Sequence, residues 1–486
     1  MRKYLNFFIV FLSLNFLFST QVLSVDCTAV SGTTETIEVS CTHLLIDGDG
    51  SNVTINSDVT IDYTGKGAVN TSGGTNTTLT NNGTIETTWH YGLRHTGSGT
   101  MTTLTNTGSI TTATRYGLST AVDSSITTIT NSGTISAGSH SGLRNYRGTI
   151  GTITNSGTIS AVSSWGLYNN GTIDTITNSG IISAGNADTD SDYGLFNSGT
   201  IETITNSGTI SATNRYGLYN SGTITTLTNT INGEISAGTN YAIANTGSIE
   251  TLTNTGSITA TNVDISNQGT ITTFNNLQGK KESNPVTFIK SLPTNYNVIV
   301  NDTDNYGKIE FSSFSGHTNT SLNFGVHSTS TLVADTTYSS VLSGLSSSNI
   351  TITLEKGHNS PSSLIGLTRY YWTLVKSSGS LWDLKIADAV NITSDTNTSV
   401  TSSVKPNVIL GINNLTSVTE VNFANMNTYD CDLFDNNKVC LSLGGRYTAI
   451  NNPKTRTNSL VWVGGYRLSD TFRVAGFYHR NLSHKT

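Results

Sequence analysis

The chain has 486 residues, of which 35% are hydrophobic and only 12% charged, with 47 Gly against 5 Pro. So little charge excludes a solvated disordered chain, which carries charge where apolar residues are lacking, and so few prolines suit strands bonded in ladders. The formal net charge of -6 shows no basic stripe, which argues against nucleic acid as a partner.

The first segment reads as a secretory signal. Arg2 and Lys3 precede an apolar run from Leu5 to Phe18, and Val22-Leu23-Ser24 offers a small-residue cleavage site. The run is too short to span a bilayer, so cleavage after Ser24 is expected, removing residues 1-24. Exported chains meet an oxidising compartment, and the cysteines fall into two local pairs, Cys27/Cys41 and Cys431/Cys440. Both pairs are disulfide candidates. No His lies near both members of either pair, so neither a metal nor another cofactor is expected. Residues 25-52 are expected to form an N-terminal cap. Within them Asp47-Gly48-Asp49 is a weak calcium hint that lacks the Gly of a calcium loop's sharp turn.

From residue 53 to 277 a phrase close to Thr-Ile-Thr-Asn-Ser-Gly-Thr-Ile-Ser-Ala returns at Asn56, Asn81, Asn106, Asn131, Asn155, Asn178, Asn206, Asn229, Asn254 and Asn276, at spacings of 22 to 28 residues. A unit this short cannot bury a core alone and must stack on copies of itself. From Ile204 to Ala212 apolar or small residues alternate with Thr and Ser, the period of a half-buried strand. Ile201 and Ile204 are three apart, so burying both requires a bend. These features predict an all-β fold, a parallel β-helix of about ten coils, with the marker Asn facing inward and bonding from coil to coil.

Ahead of the markers stand paired threonines: Thr78/Thr80, Thr103/Thr105, Thr128/Thr130, Thr152/Thr154, Thr175/Thr177, Thr203/Thr205, Thr226/Thr228 and Thr251/Thr253. With the residue between them inside, both ranks point out. This array resembles the Thr-x-Thr face of β-helical ice-binding proteins and is a candidate binding face, although Thr is also simply strand-favouring. Tyr91, Tyr116, Ser141, Trp165, Tyr193, Tyr216 and Tyr241 precede Gly-Leu or its equivalent. Strict alternation places them inside as a stack. A corner at the Gly would instead turn them out as a platform for sugars. Asp174 and Glu202 fall in adjacent coils, with Glu250 further on, at a separation that a retaining glycosidase pair would use. The one long coil carries Asp188, Asp190 and Asp192, read as a solvated loop. No nucleophile elbow, Walker loop, zinc motif or His-centred triad is present in the sequence, and no enzymatic activity is expected.

Residues 278-390 read as a strand-rich cap that closes the open end of the rod. A linker at 391-430 includes a helix expected at Asn407 to Asn427. From 431 to 486 the pattern becomes long alternation, as in Leu441, Leu443, Gly445 and Tyr447 against Ser442, Gly444, Arg446 and Thr448. Ten-residue strands with one greasy side are used by outer-membrane barrels. A long loop from Asn451 to Thr457 and a tight turn at Ser469-Asp470 fit that order.

Signal, Ser/Thr/Asn/Gly-rich repeats, strand-rich junction, helical linker and barrel-type strands together resemble an autotransporter of the type V secretion route. Gly464-Gly465-Tyr466-Arg467-Leu468-Ser469-Asp470 is similar to the hairpins of that family's translocator barrel. The resemblance implies a β-helical passenger at the cell surface or secreted, exported with an outer-membrane barrel and acting in adhesion to host or environmental surface glycans or proteins. The family barrel has about twelve strands, whereas about three fit here, so the chain is expected to be part of a longer protein. A trimeric barrel is the lesser alternative. A β-helical polysaccharide-degrading enzyme and an ice-binding surface remain the competing readings of the repeats.

Overall fold

The computed structural model describes residues 26–29, 32–65, 67–72, 74–185, 192–280, 284–314, 316–354, 360–366, 368–391, 437–451, 454–468 and 473–485. The signal segment and the expected helix at 407–427 lie outside them. The chain divides into two units, Met1–Ile392 and Thr393–Thr486.

The first unit is a parallel β-solenoid of about 12 turns. One turn shows the plan. Thr200–Asn206 belongs to the first sheet, Thr209–Ala212 to the second and Tyr216–Asn220 to the third, and Thr223–Asn229 then returns to the first. These sheets, here named the Thr face, the short face and the aromatic face, are built by stacking like on like. Thr203 pairs with Thr226, Ile210 with Ile235 and Leu218 with Ile243.

Sequence alternation sets which side chains enter the core. On the short face Ile210 and Ala212 are buried, while Thr209 and Ser211 turn outward. On the Thr face Ile201 and Ile204 are both fully buried. The pairing skips Glu202 and Thr225 between them, which is the required bend. A second skip falls at Gly217 on the aromatic face. A Cβ there would lie 2.6 Å from the Ser236 carbonyl oxygen, and the next two coils take the same corner with Ala242 and Asp264. Columns of Ile and Leu thereby fill the interior, and each fully buried side chain contributes about 1.5–3 kcal/mol relative to exposure.

Parallel pairing is wider than the spelled repeat. It begins at Cys27–Ala29, which pairs with Leu44–Asp47, so the stretch expected as a cap already forms solenoid strands. It continues to Ile350–Ile352. Here the core exchanges Ile for Phe274, Phe288, Tyr296, Phe311 and Phe324, all buried. Antiparallel strands Thr368–Ser378 and Leu381–Asn391 then cover the edge of Thr337–Ser343, with Trp382 Nε1 donating to the Leu345 carbonyl at 3.0 Å.

The second unit contains three antiparallel strands, Val439–Asn451, Lys454–Arg467 and Arg473–Lys485. The segment expected as a long loop, Asn451 to Thr457, is largely strand, because Asn451 pairs directly with Lys454. Polar Thr and Asn extend the ladder here through backbone bonds, which apolar alternation does not reveal. Val439, Leu441, Leu443, Trp462, Tyr466 and Val474 are all exposed, and cross-strand pairing places them on one face. Cys440 and Val463 lie buried between them in sequence.

Candidate functional surfaces

The Thr face carries the expected ranks. Thr78, Thr103, Thr128, Thr152, Thr175, Thr203, Thr226 and Thr251 pair coil to coil. Thr80, Thr105, Thr130, Thr154, Thr177, Thr205, Thr228 and Thr253 form a parallel rank in the same pairings. The residue between each pair is fully buried, as at Leu79, Leu104 and Ile129, so both ranks face outward as a regular array of methyls and hydroxyls.

Two details correct the sequence picture of this array. Its threonines are less open than simple alternation suggests. Thr80, Thr105, Thr130, Thr154, Thr205, Thr228 and Thr253 are half-buried, as is every member of the Thr78 to Thr251 rank, and Thr177 alone is exposed. Coils about 4.8 Å apart cover one another's side chains, so the array presents mainly the tips of its threonines. The ranks also run past the expected ends. Thr54 pairs with Thr80, and Thr273 with Thr251. The second rank closes at Asn275, whose Nδ2 donates to the Thr253 hydroxyl at 3.0 Å.

The marker asparagines stack inside. Each Nδ2 donates to the Oδ1 of the next coil, at 2.8 Å from Asn81 to Asn106 and 2.7 Å from Asn106 to Asn131. The same amide also reaches two backbone carbonyls, as Asn106 does with Gly108 and Thr134. Asn56 stands outside this ladder, because the register partner of Asn81 is Ile55. The ladder therefore starts without a donor, and the Oδ1 of Asn81 is buried unpaired. A second ladder escaped the sequence reading. It runs through Asn145, Asn169, Asn197, Asn220, Asn245 and Asn267 on the aromatic face, with steps of 2.7–2.8 Å. Its signal was the Asn that closes the Gly-Leu-x-Asn phrase.

The aromatic rank is not an internal stack. The skip at the Gly turns it outward, and none of its rings joins the Ile/Leu core. Tyr193 and Tyr216 stack with centroids 5.2 Å apart and planes 4° apart, and Tyr216 and Tyr241 at 5.6 Å and 6°. A neighbouring outward rank lies against them, with Trp165 on Tyr168 at 4.7 Å and Tyr216 on Tyr219 at 5.5 Å. Arginines share this surface. The Arg94 guanidinium sits 5.0 Å over Tyr91, and that of Arg144 lies 4.5 Å from the Tyr116 ring and 4.1 Å from Tyr146. Burial pushes the Tyr116 phenol up, against the pull of Arg144. Burial, then Arg115 and Arg144, push the His140 imidazole down. Net charge averages over a surface on which the fold gathers all five arginines between residues 81 and 276 at this face.

Among the described residues, Asp174 and Glu202 stand next to each other but not beside a basic or aromatic side chain in register with them. Asp174 and Glu202 occupy the same exposed bend in successive coils, flanked at that position by Gly151 and Thr225. Asp192 is buried, while Asp188 and Asp190 lie outside the described residues. Asp47 accepts from Ser72, and Asp49 accepts from the Thr75 backbone and hydroxyl. These two carboxylates tie adjacent coils together, and the Thr75 bonds hold the Asp49 carboxyl below its usual range.

Cys27 and Cys41 form a disulfide with Cα atoms 6.1 Å apart. Cys440 is also disulfide-bonded, and Cys431 lies outside the described residues. Comparison with protein families, curated proteins and solved structures finds no match to this chain. Fold and surface chemistry alone therefore define it as a parallel β-solenoid accompanied by antiparallel strands.

Proposed function

We propose that this is the surface-displayed or secreted passenger of an autotransporter, exported with an outer-membrane barrel, and that its work is adhesion or surface interaction. The observation that carries the proposal is the exposed face of the second unit. Leu441 is 74% exposed, Leu443 59% and Trp462 46%, on strands of 13 and 14 residues. A transmembrane strand needs about 9–11 residues, with its apolar side toward lipid. Three strands alone leave open edges that lipid does not tolerate, so the proposal requires further strands alongside them. The solenoid supports the passenger role through its long, repetitive outer surface, and the reading assigns it no catalytic step. Fractionation of cells making the full-length product tests this. Recovery in the outer membrane, with the solenoid sensitive to external protease, is expected. Recovery in the cytoplasm ends the reading.

A second reading is favoured by one observation, the two unbroken Thr ranks on a sheet face. Such an array matches what an ice-binding surface requires. Thr203→Tyr breaks both its flatness and its register, so ice-growth inhibition by the wild type and its loss in this variant is the expected pair of results. Equal inhibition by both proteins removes the reading.

A further inference from the structure

We propose that the aromatic face of the solenoid binds an extended anionic polysaccharide, gripped by guanidinium groups that the aromatic rank holds in place. This deepens the adhesion reading and rests on it for the choice of polymer.

Arginine on the solenoid is confined to one face. Between residues 81 and 276 the only Arg or Lys residues are Arg94, Arg115, Arg144, Arg147 and Arg215. All five lie on the strands or corners of the aromatic face. Glu86 and Glu234 lie on the short face, and Asp174, Glu202 and Glu250 at the bend of the Thr face. The cations of this stretch are thus gathered on one face, which they share with Asp123 at the turn one coil before Arg147, with the buried Asp192, and with Asp264, whose carboxylate is bonded to Ala260 and Thr287. Moreover, Arg94, Arg115, Arg144 and Arg147 have no carboxylate partner among the described residues. Three of them lie against rings instead, Arg147 at 5.5 Å from Tyr146. Cation–π contact fixes a guanidinium in place while leaving its N–H edge free to meet an anion.

The placement defines the ligand's shape. Arg94 and Arg144 share one rank with Ser119 between them, which sets them about 10 Å apart along the rod at the usual strand spacing. Arg115 stands at the corner of the coil between, and Arg147 at the turn beyond Arg144. Positive charge therefore runs along the rod axis across three successive coils. A linear polymer with an anionic group on each sugar or disaccharide follows such a row.

The rings narrow the class further. Beside the arginines the ring faces are occupied, since Tyr91 stacks on Tyr116 at 5.4 Å and 21° and Arg94 and Arg144 lie over these two rings, while further along Tyr193, Tyr216 and Tyr241 stack on one another. Neutral sugars and nucleic-acid bases bind aromatic side chains through ring faces, and these are taken. A peptide strand would add to an open sheet edge, whereas the strands here are paired on both sides. Charge-assisted bonds from guanidinium to sulfate or carboxylate remain.

The test uses the full chain in detergent with heparin, hyaluronan, dextran and single-stranded DNA as probes. Binding to heparin or hyaluronan is expected, weakening as salt rises, with none to dextran. Comparing the first two separates sulfate from carboxylate recognition. The triple variant R94Q/R115Q/R144Q is expected to lose tenfold or more in affinity with an unchanged circular-dichroism spectrum. R144K, which keeps the charge but not the planar fork, is expected to lose less than R144Q. Unaltered binding by the triple variant overturns the proposal, as does tighter binding to DNA than to either anionic polysaccharide, or binding to no probe. Cells displaying the chain separate the two readings. Adhesion that heparin and hyaluronan both fail to compete sinks this surface and leaves adhesion standing. Absence of adhesion despite heparin binding sinks adhesion alone.

Discussion

A single inward side chain here is worth more than an outward one beside it. Asn178 takes a bond from Asn155, gives one to Asn206 and reaches the Gly180 and Thr209 carbonyls. Asn178→Ala leaves the Asn206 Oδ1 buried without its donor, and each orphaned buried group costs about 1–3 kcal/mol. We predict a loss of about 3 kcal/mol by urea denaturation. Thr177→Ala, one residue earlier and outward, stays within about 0.5 kcal/mol. Equal losses at the two positions would contradict the ladder. His95 gives a pH-dependent counterpart. It is buried, bonded to the Thr71 hydroxyl at 2.6 Å and to the Gly99 carbonyl at 3.2 Å, and burial pushes its imidazole down. The folded state thus prefers neutral His95. Its contribution is fully present above the unfolded value of about 6.5 and is lost as pH falls below it toward the folded pKa. The melting temperature of the wild type is expected to fall more between pH 7.5 and pH 5 than that of His95→Asn. Parallel curves for the two would refute this. The inward Asn was legible because it sits in step with Ile on an alternating strand. His95 follows the same rule, two residues after the buried Leu93 and in register with Thr120 and Asn145, but a single His among repeating polar residues does not stand out as an inward group.

At the level of the element, the coil is shaped by where glycine permits contact. A Cβ on Gly208 would lie 2.1 Å from the Gly180 carbonyl oxygen, which is backbone and cannot yield. At Gly185 the nearest atom is the Thr213 hydroxyl oxygen at 2.9 Å, the end of a side chain that can rotate. Gly208→Ala is therefore expected to cost about 3 kcal/mol, the upper part of the usual overpacking range. Gly185→Ala is expected to be near neutral. Thermal melts of both variants check the contrast, and a neutral Gly208→Ala would contradict the close coil contact. The same geometry explains what the sequence could and could not show of the elements. The bend between Ile201 and Ile204 was readable because two apolar residues three apart cannot share one side of a flat strand. The turn at Gly217 was open to two readings, since Tyr216-Gly217-Leu218 alternates as well with the ring inside as out. The register skip at this corner, which Ala242 and Asp264 make as well as Gly217, decides it, and with it the whole aromatic face changes side. The Thr ranks fall between these cases. Alternation gave Thr203 and Thr205 their outward direction, but how far the next coil covers them depends on stacking, which one coil's sequence does not state.

For the whole molecule, the two units obey opposite rules. In the solenoid most Ile and Leu point in, Ile181 and Ile231 being exposed exceptions, and most hydroxyls point out. In the second unit Leu441 and Leu443 point outward while Val463 is buried. On the proposal made above, water surrounds the first unit and lipid meets the exposed face of the second, and this contrast is open to direct test. Leu443→Arg puts a cation on the face assigned to lipid, where a midplane Arg costs about 2–4 kcal/mol and one near the interface about 0–1 kcal/mol. The full-length variant is expected to reach the outer membrane in reduced amount, while Leu443→Val assembles like the wild type. Membrane fractions and resistance of the strands to protease in intact vesicles measure this. If the face were in water instead, removing an exposed Leu would leave folding unchanged and raise solubility. Normal assembly of Leu443→Arg together with a soluble full-length product would therefore reject the membrane assignment and leave the solenoid a rod of unknown address.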